Sequence, residues 1–139
     1  MIVRQLRNRR AACLPSYHLD LVSDRLTIRV PDATRLDLVP ATIQRAMIGS
    51  GRDRSLTIVI DCRCSQSPPG LPGIRLLAET LADSWDVEGP IALLAQGIDV
   101  PTLTLALGSV LSARSENMIR VFSDVAPLER FMQRSAVLA

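Results

Sequence analysis

The chain has 139 residues, 47% of them hydrophobic and 22% charged, with a formal net charge of +2. That is the length of one domain and the composition of a soluble globular protein, with a core that must be aliphatic because Tyr17, Trp85, Phe122 and Phe131 are its only aromatics. Four scattered rings exclude a stacking platform for single-stranded nucleic acid, and sixteen basic residues that are all arginine exclude Schiff-base and P-loop lysine chemistry.

Residues 1–15 form a basic arm, with Arg4, Arg7, Arg9 and Arg10 and no acid, ahead of a single domain over residues 16–135. The arm reads as a frayed tail, or else as a contact for nucleic acid, an anionic lipid surface or an acidic protein face. It lacks the apolar region of roughly 7–15 residues that a secretory signal needs, and no run approaches the ~20 residues of a membrane span. Three cysteines, Cys13, Cys62 and Cys64, make an odd count that argues against a disulfide framework. The expected setting is therefore the reducing cytoplasm.

Tyr17 to Val22 and Leu26 to Val30 alternate apolar and polar residues across the short link Ser23-Asp24-Arg25, which predicts two half-buried strands in an antiparallel hairpin. Pro31-Asp32-Ala33-Thr34 then breaks the sheet and offers capping residues. Leu36, Val39, Ile43, Ala46 and Met47 fall on one helical face. Pro40 requires that helix to begin near Asp37, so that the proline lies in its first turn. Gly49-Ser50-Gly51 ends it.

Leu56-Thr57-Ile58-Val59-Ile60 is a continuous β-branched run that stops at Asp61, the pattern of a central strand covered on both faces. A helix over Leu71 to Trp85 follows, with Ile74, Leu77, Leu81 and Trp85 at helical spacing. Asp86 to Pro90 is a turn and Ile91 to Ala95 a second buried strand. Asp99 or Thr102 caps a third helix with Leu103, Ala106, Leu107, Val110 and Leu111 inward. Met118 to Phe122 is a last strand, and Val125 to about Arg134 a last helix carrying Leu128, Phe131 and Met132. The fold class is α/β: a five-stranded mixed sheet, with an N-terminal antiparallel hairpin and then strand–helix units, and about four helices packed on it.

Candidate chemistry gathers after the central strand, in Asp61, Cys62, Arg63, Cys64, Ser65, Ser67 and Gly70. A cysteine at the carboxyl end of a parallel strand occupies the ligand crevice of open α/β sheets, where a helix dipole and Arg63 would favour thiolate. The spacing fits neither a tyrosine-phosphatase loop, since Gly70 stands where arginine is needed after Cys64, nor a two-residue-spaced redox pair. Structural cysteines are the simpler reading. Asp61 reads as a loop cap, although it could hold a metal. His18, the one imidazole, belongs to the polar face of its strand. Gly70-Leu71-Pro72-Gly73 is a turn rather than a phosphate cradle, because Pro72 removes an N–H. No cofactor is called for. Leu105 lies off the inward stripe of the third helix and, with that stripe, could border a lipid pocket or partner surface.

The element order over residues 17–134, with Ile91 to Ala95 and the ending Met118-Ile119-Arg120-Val121-Phe122-Ser123-Asp124 running straight into a helix, resembles the STAS domain superfamily. The SpoIIAA-like (STAS/SEC14-like) branch is the most similar, the family being best known from bacterial anti-sigma-factor antagonists. The resemblance implies a non-catalytic regulatory domain that binds another protein or itself, through the loop at residues 62–73 and the second helix. In family members that switch by phosphorylation, this loop carries Asp-Ser-Ser-Gly or Asp-Ser-Thr-Gly. Here Ser67-Pro68-Pro69-Gly70 stands in its place, so both hydroxyl positions are proline and the usual switch is not expected. Ser67 or Ser65 is the candidate phosphosite that remains. The second reading is a carrier of a small apolar ligand or lipid, held between helices and sheet. The third, a cysteine-based redox or transfer enzyme, requires a thiol titrating well below its free value.

Overall fold

The computed structural model describes residues 14–50, 57–84, 90–111 and 119–138. Five strands form one mixed sheet in the order in which they occur in the chain. β1 (Ser16–Asp20) and β2 (Arg25–Arg29) pair antiparallel as a hairpin. β3 (Thr57–Asp61), β4 (Ile91–Leu94) and β5 (Ile119–Phe122) then add in parallel. The helices are α1 (Val39–Ser50), α2 (Leu71–Ser84), α3 (Val100–Val110) and α4 (Val125–Leu138). Residues 1–13 of the basic arm, Gly51, Leu56, Trp85, residues 86–89 of the expected turn and Met118 lie outside the described residues.

The expected α/β fold class and its five-stranded mixed sheet are present. Because the parallel strands add in one direction only, the helices connecting them lie on the same face of the sheet. There Leu26, Ile28, Ile58, Ile60, Ile91, Leu93, Ile119 and Val121 meet Ile43 of α1, Ile74 and Leu81 of α2 and Leu107 of α3. On the opposite face, among the described residues, α4 packs its Leu128 and Met132 on Val59, Ala92 and Leu94. The two-sided burial expected of the central strand follows from these layers: Ile58, Val59 and Ile60 are all buried.

Local chemistry sets the element ends. Asp32 caps a short 3₁₀ segment, Ala33–Leu38, by accepting from the Thr34 N–H at 3.0 Å. That segment is kinked at Arg35, so the helical face expected from Leu36 onward starts as 3₁₀ turns and becomes α-helix only at Val39. Pro40 falls in the first turn of α1, where its missing N–H leaves no gap. Asp99 caps α3 by accepting from the Thr102 N–H at 3.2 Å. Gly97 supplies the left-handed backbone (φ 71°) that turns the chain into it.

The hairpin differs from its expected form. Strand β1 ends at Asp20, and Leu21 belongs to a turn whose first N–H groups, of Val22 and Ser23, bond the Asp20 carboxylate at 2.9 and 3.4 Å. At the sheet edge only Leu19 of β1 is even partly covered, so this strand is exposed rather than half-buried. His18 is exposed, on the face away from α1 to α3.

Candidate functional site

The carboxyl end of the parallel sheet is sealed by backbone bonds that run past the strands. Val30 N–H donates to the Asp61 carbonyl at 2.9 Å, Cys62 N–H to Leu94 at 2.7 Å, and Ala95 N–H to Phe122 at 3.0 Å. The loop after β3 leaves from this seam. Asp61 organises its first turn: one carboxylate oxygen accepts from both the backbone N–H and Nε of Arg63 at 3.0 Å, the other from Nη2 at 2.9 Å. Burial would raise the Asp61 pKa, but the bonds from Arg63 and the charges of Arg63 and Arg29 outweigh it and hold the carboxyl below its ordinary range. The expectation that Asp61 caps this loop matches these contacts.

The two cysteines of the loop are in opposite environments. Cys62 is 2% exposed and packs in the main core. Burial, aided by the neighbouring Asp61 charge, pushes its thiol up to about 12. The thiolate-favouring arrangement considered for this position is therefore reversed at Cys62, because Arg63 spends its charge on Asp61 and α2 begins only at Leu71. Cys64 is exposed and accepts a hydrogen bond from Arg29 Nη2 at 2.9 Å. Nor does a crevice of the open-sheet kind form here. Such crevices arise where strand order reverses, and the parallel strands β2 to β5 run without reversal.

Ser65 is committed to structure. Its hydroxyl accepts from the Ala33 N–H at 2.9 Å and donates to the Ser67 carbonyl at 2.7 Å, stapling the loop to the start of the 3₁₀ segment. Phosphorylation there would remove the proton that bonds the Ser67 carbonyl. Ser67 is exposed, and Pro69 is buried. Gly70 is exposed and its carbonyl accepts from the Ile74 N–H at 3.1 Å as α2 begins.

Beyond this loop lies a groove of about 600 Å³ between the 3₁₀ segment and α2. Leu36, Pro40, Pro68, Gly70, Leu76 and Leu77 supply its apolar lining, and Arg35 and Asp37, joined at 3.1 Å, stand at its rim. A second groove of about 340 Å³ lies on the other side of Leu76, between α2 and Val110 of α3. Leu76 is 60% exposed and forms the ridge between them. Sequence reading singled out the loop and α2 but not Leu76, Arg29 or the 3₁₀ wall. Leu76 carried a usable signal, since it falls off the inward Ile74–Leu77–Leu81 stripe. Arg29 and Ala33 carried none, because they reach the loop only through the parallel pairing of β2 with β3.

Among the described residues no group of three or more His, Cys, Asp and Glu side chains could hold a metal ion, and no helix is long and apolar enough to cross a membrane. No family model, curated protein or solved structure matches the chain.

Proposed function

We propose that this chain is a non-catalytic, STAS-like interaction domain of the cytoplasm that binds a regulatory protein partner through the exposed side of α2 and the loop before it. The observation that carries this reading is the Leu76 ridge. A large aliphatic side chain stands in solvent between two shallow apolar grooves, beside a loop held rigid by Asp61, Ser65 and Pro69. A rigid apolar ridge with a polar rim of Arg35, Asp37, Arg75 and Glu79 has the anatomy of a protein-docking surface. The prolines at the hydroxyl positions and the engaged Ser65 leave Ser67 as the hydroxyl a kinase could use, so this partner binding does not depend on the usual phospho-switch.

The alternative occupant is a small apolar ligand in the larger groove, whose volume is in the range of small-molecule sites. It differs in location from the helix–sheet cleft first considered, because the space between helices and sheet is filled by buried aliphatic side chains. The test is co-purification from the native source with Leu76→Arg compared against Leu105→Arg, a still more exposed leucine on α3. Partner binding lost only with Leu76→Arg supports the reading. Loss with neither variant, or recovery of a bound small molecule in place of a protein, overturns it.

A further inference from the structure

Among the described residues nothing pairs with the outer edge of β1; that edge is complementary to itself, and we propose that two copies of this chain pair there, antiparallel about a two-fold axis at His18, into one continuous sheet. The phase of the backbone bonds is fixed by neighbouring strands. Thr57 N–H donates to the Asp24 carbonyl and Val30 N–H to Asp61, so Asp24, Leu26, Ile28 and Val30 direct their bonds to β3. Arg25, Thr27 and Arg29 therefore bond β1 at their partners Asp20, His18 and Ser16. Tyr17 and Leu19 are left with N–H and C=O pointing outward from the sheet.

Those two residues match each other across the axis. Each Tyr17 exchanges both backbone bonds with Leu19 of the second copy, and His18 meets His18 as the non-bonded pair between them. Tyr17 and Leu19 lie on the same face of the sheet as Leu26 and Ile28, so an aromatic side chain opposes an aliphatic one in both copies. The electrostatics agree. Asp20 of one copy stands opposite Ser16 of the other, and Ser16 is paired with Arg29. Opposite charges therefore face each other on one surface, two strand spacings apart (~10 Å), across the shortest polar side chain of the strand.

Among the described residues the edge also lacks most of the usual protections. Between Ser16 and Asp20 there is no lysine, proline or bulge, and Asp20 is its one acid, already bonded by the turn. Exposed apolar side chains flank it: Leu14 (55%), Tyr17 (47%), Leu21 (61%) and Val22 (97%), with Ile48 (74%) on α1. At the other edge, β5 carries the exposed Arg120, held over the Phe131 ring at 5.1 Å.

The test is site-directed cross-linking in the full chain with Cys13→Ser and Cys64→Ser, leaving only the buried Cys62. A non-bonded antiparallel pair holds its Cα atoms about 4.5 Å apart, within reach of a disulfide. His18→Cys is expected to form a covalent dimer with oxidised glutathione, while Asp20→Cys, also exposed but displaced from the axis, is not. Cross-linking at neither position, or equally at both, overturns the proposal. Sedimentation equilibrium of the native chain is expected to give twice its 15.2 kDa mass. A native chain that remains monomeric overturns it as well. Tyr17→Pro removes an outward N–H without touching the ladder to β2, so it is expected to give a monomer with unchanged circular dichroism. If that variant fails to fold, the cross-linking pattern decides.

Discussion

Arg25 of β2 and Glu129 of α4 are joined by two parallel hydrogen bonds, at 2.6 and 3.0 Å, across the face of the sheet that α4 covers only in part. The pair ties the last helix to the far side of β3 and marks where its apolar packing ends. Glu129 is held below the ordinary carboxylate range by the bond from Arg25, and Arg25 is raised in turn by Glu129. Both side chains keep some contact with solvent, 26% for Arg25 and 39% for Glu129, so the pair stabilises modestly.

Glu129→Ala is expected to cost about 1 kcal/mol in urea unfolding, and Arg25→Lys to recover little, because an ammonium cannot make the paired bonds. Glu129 has a depressed folded pKa, so its contribution is complete above the unfolded value of about 4.3 and is lost as pH falls through the folded one. The penalty of Glu129→Ala should therefore shrink in acid. A penalty independent of pH would remove the carboxylate from the explanation.

Asp61 predicts a second acid-sensitive contact. Its carboxyl is also depressed, so the support it gives the loop is present above about 3.9 and lost as pH falls below. Asp61→Asn should destabilise by about 1–2 kcal/mol at neutral pH and loosen the turn at Arg63. Amide exchange at Arg63, whose N–H the carboxylate accepts, reads this directly. Unchanged exchange there would mean that the turn holds without the charge.

How far the sequence reveals this fold depends on whether the signal is local. Ile58 to Ile60 show a buried strand because burial on both faces needs only an unbroken β-branched run. Pro40 and Asp99 mark helix starts through their own backbone and side-chain chemistry. Tyr17 to Val22 mislead, since alternation shows that a strand has two faces but not that it lies at an edge, where neither is well covered. For Cys62 a structural role is the simpler reading from sequence, but the depth of its burial is not legible locally. Its neighbours Asp61 and Arg63 satisfy one another, and the layer that buries its thiol comes from distant segments. The α2 groove needs the 3₁₀ segment, and nothing near Leu76 in sequence announces Leu36 or Pro40 beside it.

Alkylation should separate the two thiols of the loop. Iodoacetamide at mildly alkaline pH is expected to label exposed Cys64 and leave Cys62 unmodified until the chain unfolds, as its thiol near 12 and its 2% exposure require. Peptide mass spectrometry after a short pulse gives the ratio. Rapid labelling of Cys62 in the folded chain would restore the cysteine-enzyme reading.

Core truncations should differ between the two faces of the sheet. Ile60→Ala, beneath the three helices, is expected to cost about 3–4 kcal/mol. Met132→Ala, in the smaller cluster under α4, should cost about 2 kcal/mol because fewer buried side chains surround it than surround Ile60. Urea midpoints at equal slope measure both. The reverse order would show that α4 anchors the sheet more strongly than the helical layer opposite.

The central claim concerns α2, and hydrogen exchange on the complex isolated from the native source tests it most directly. Compared with the free chain, protection should rise over residues 65–80, spanning the rigid loop and the Leu76 ridge. It should be unchanged at the exposed side of α3 around Leu105. Protection confined to other surfaces, with residues 65–80 exchanging as in the free chain, would contradict the assignment of this face.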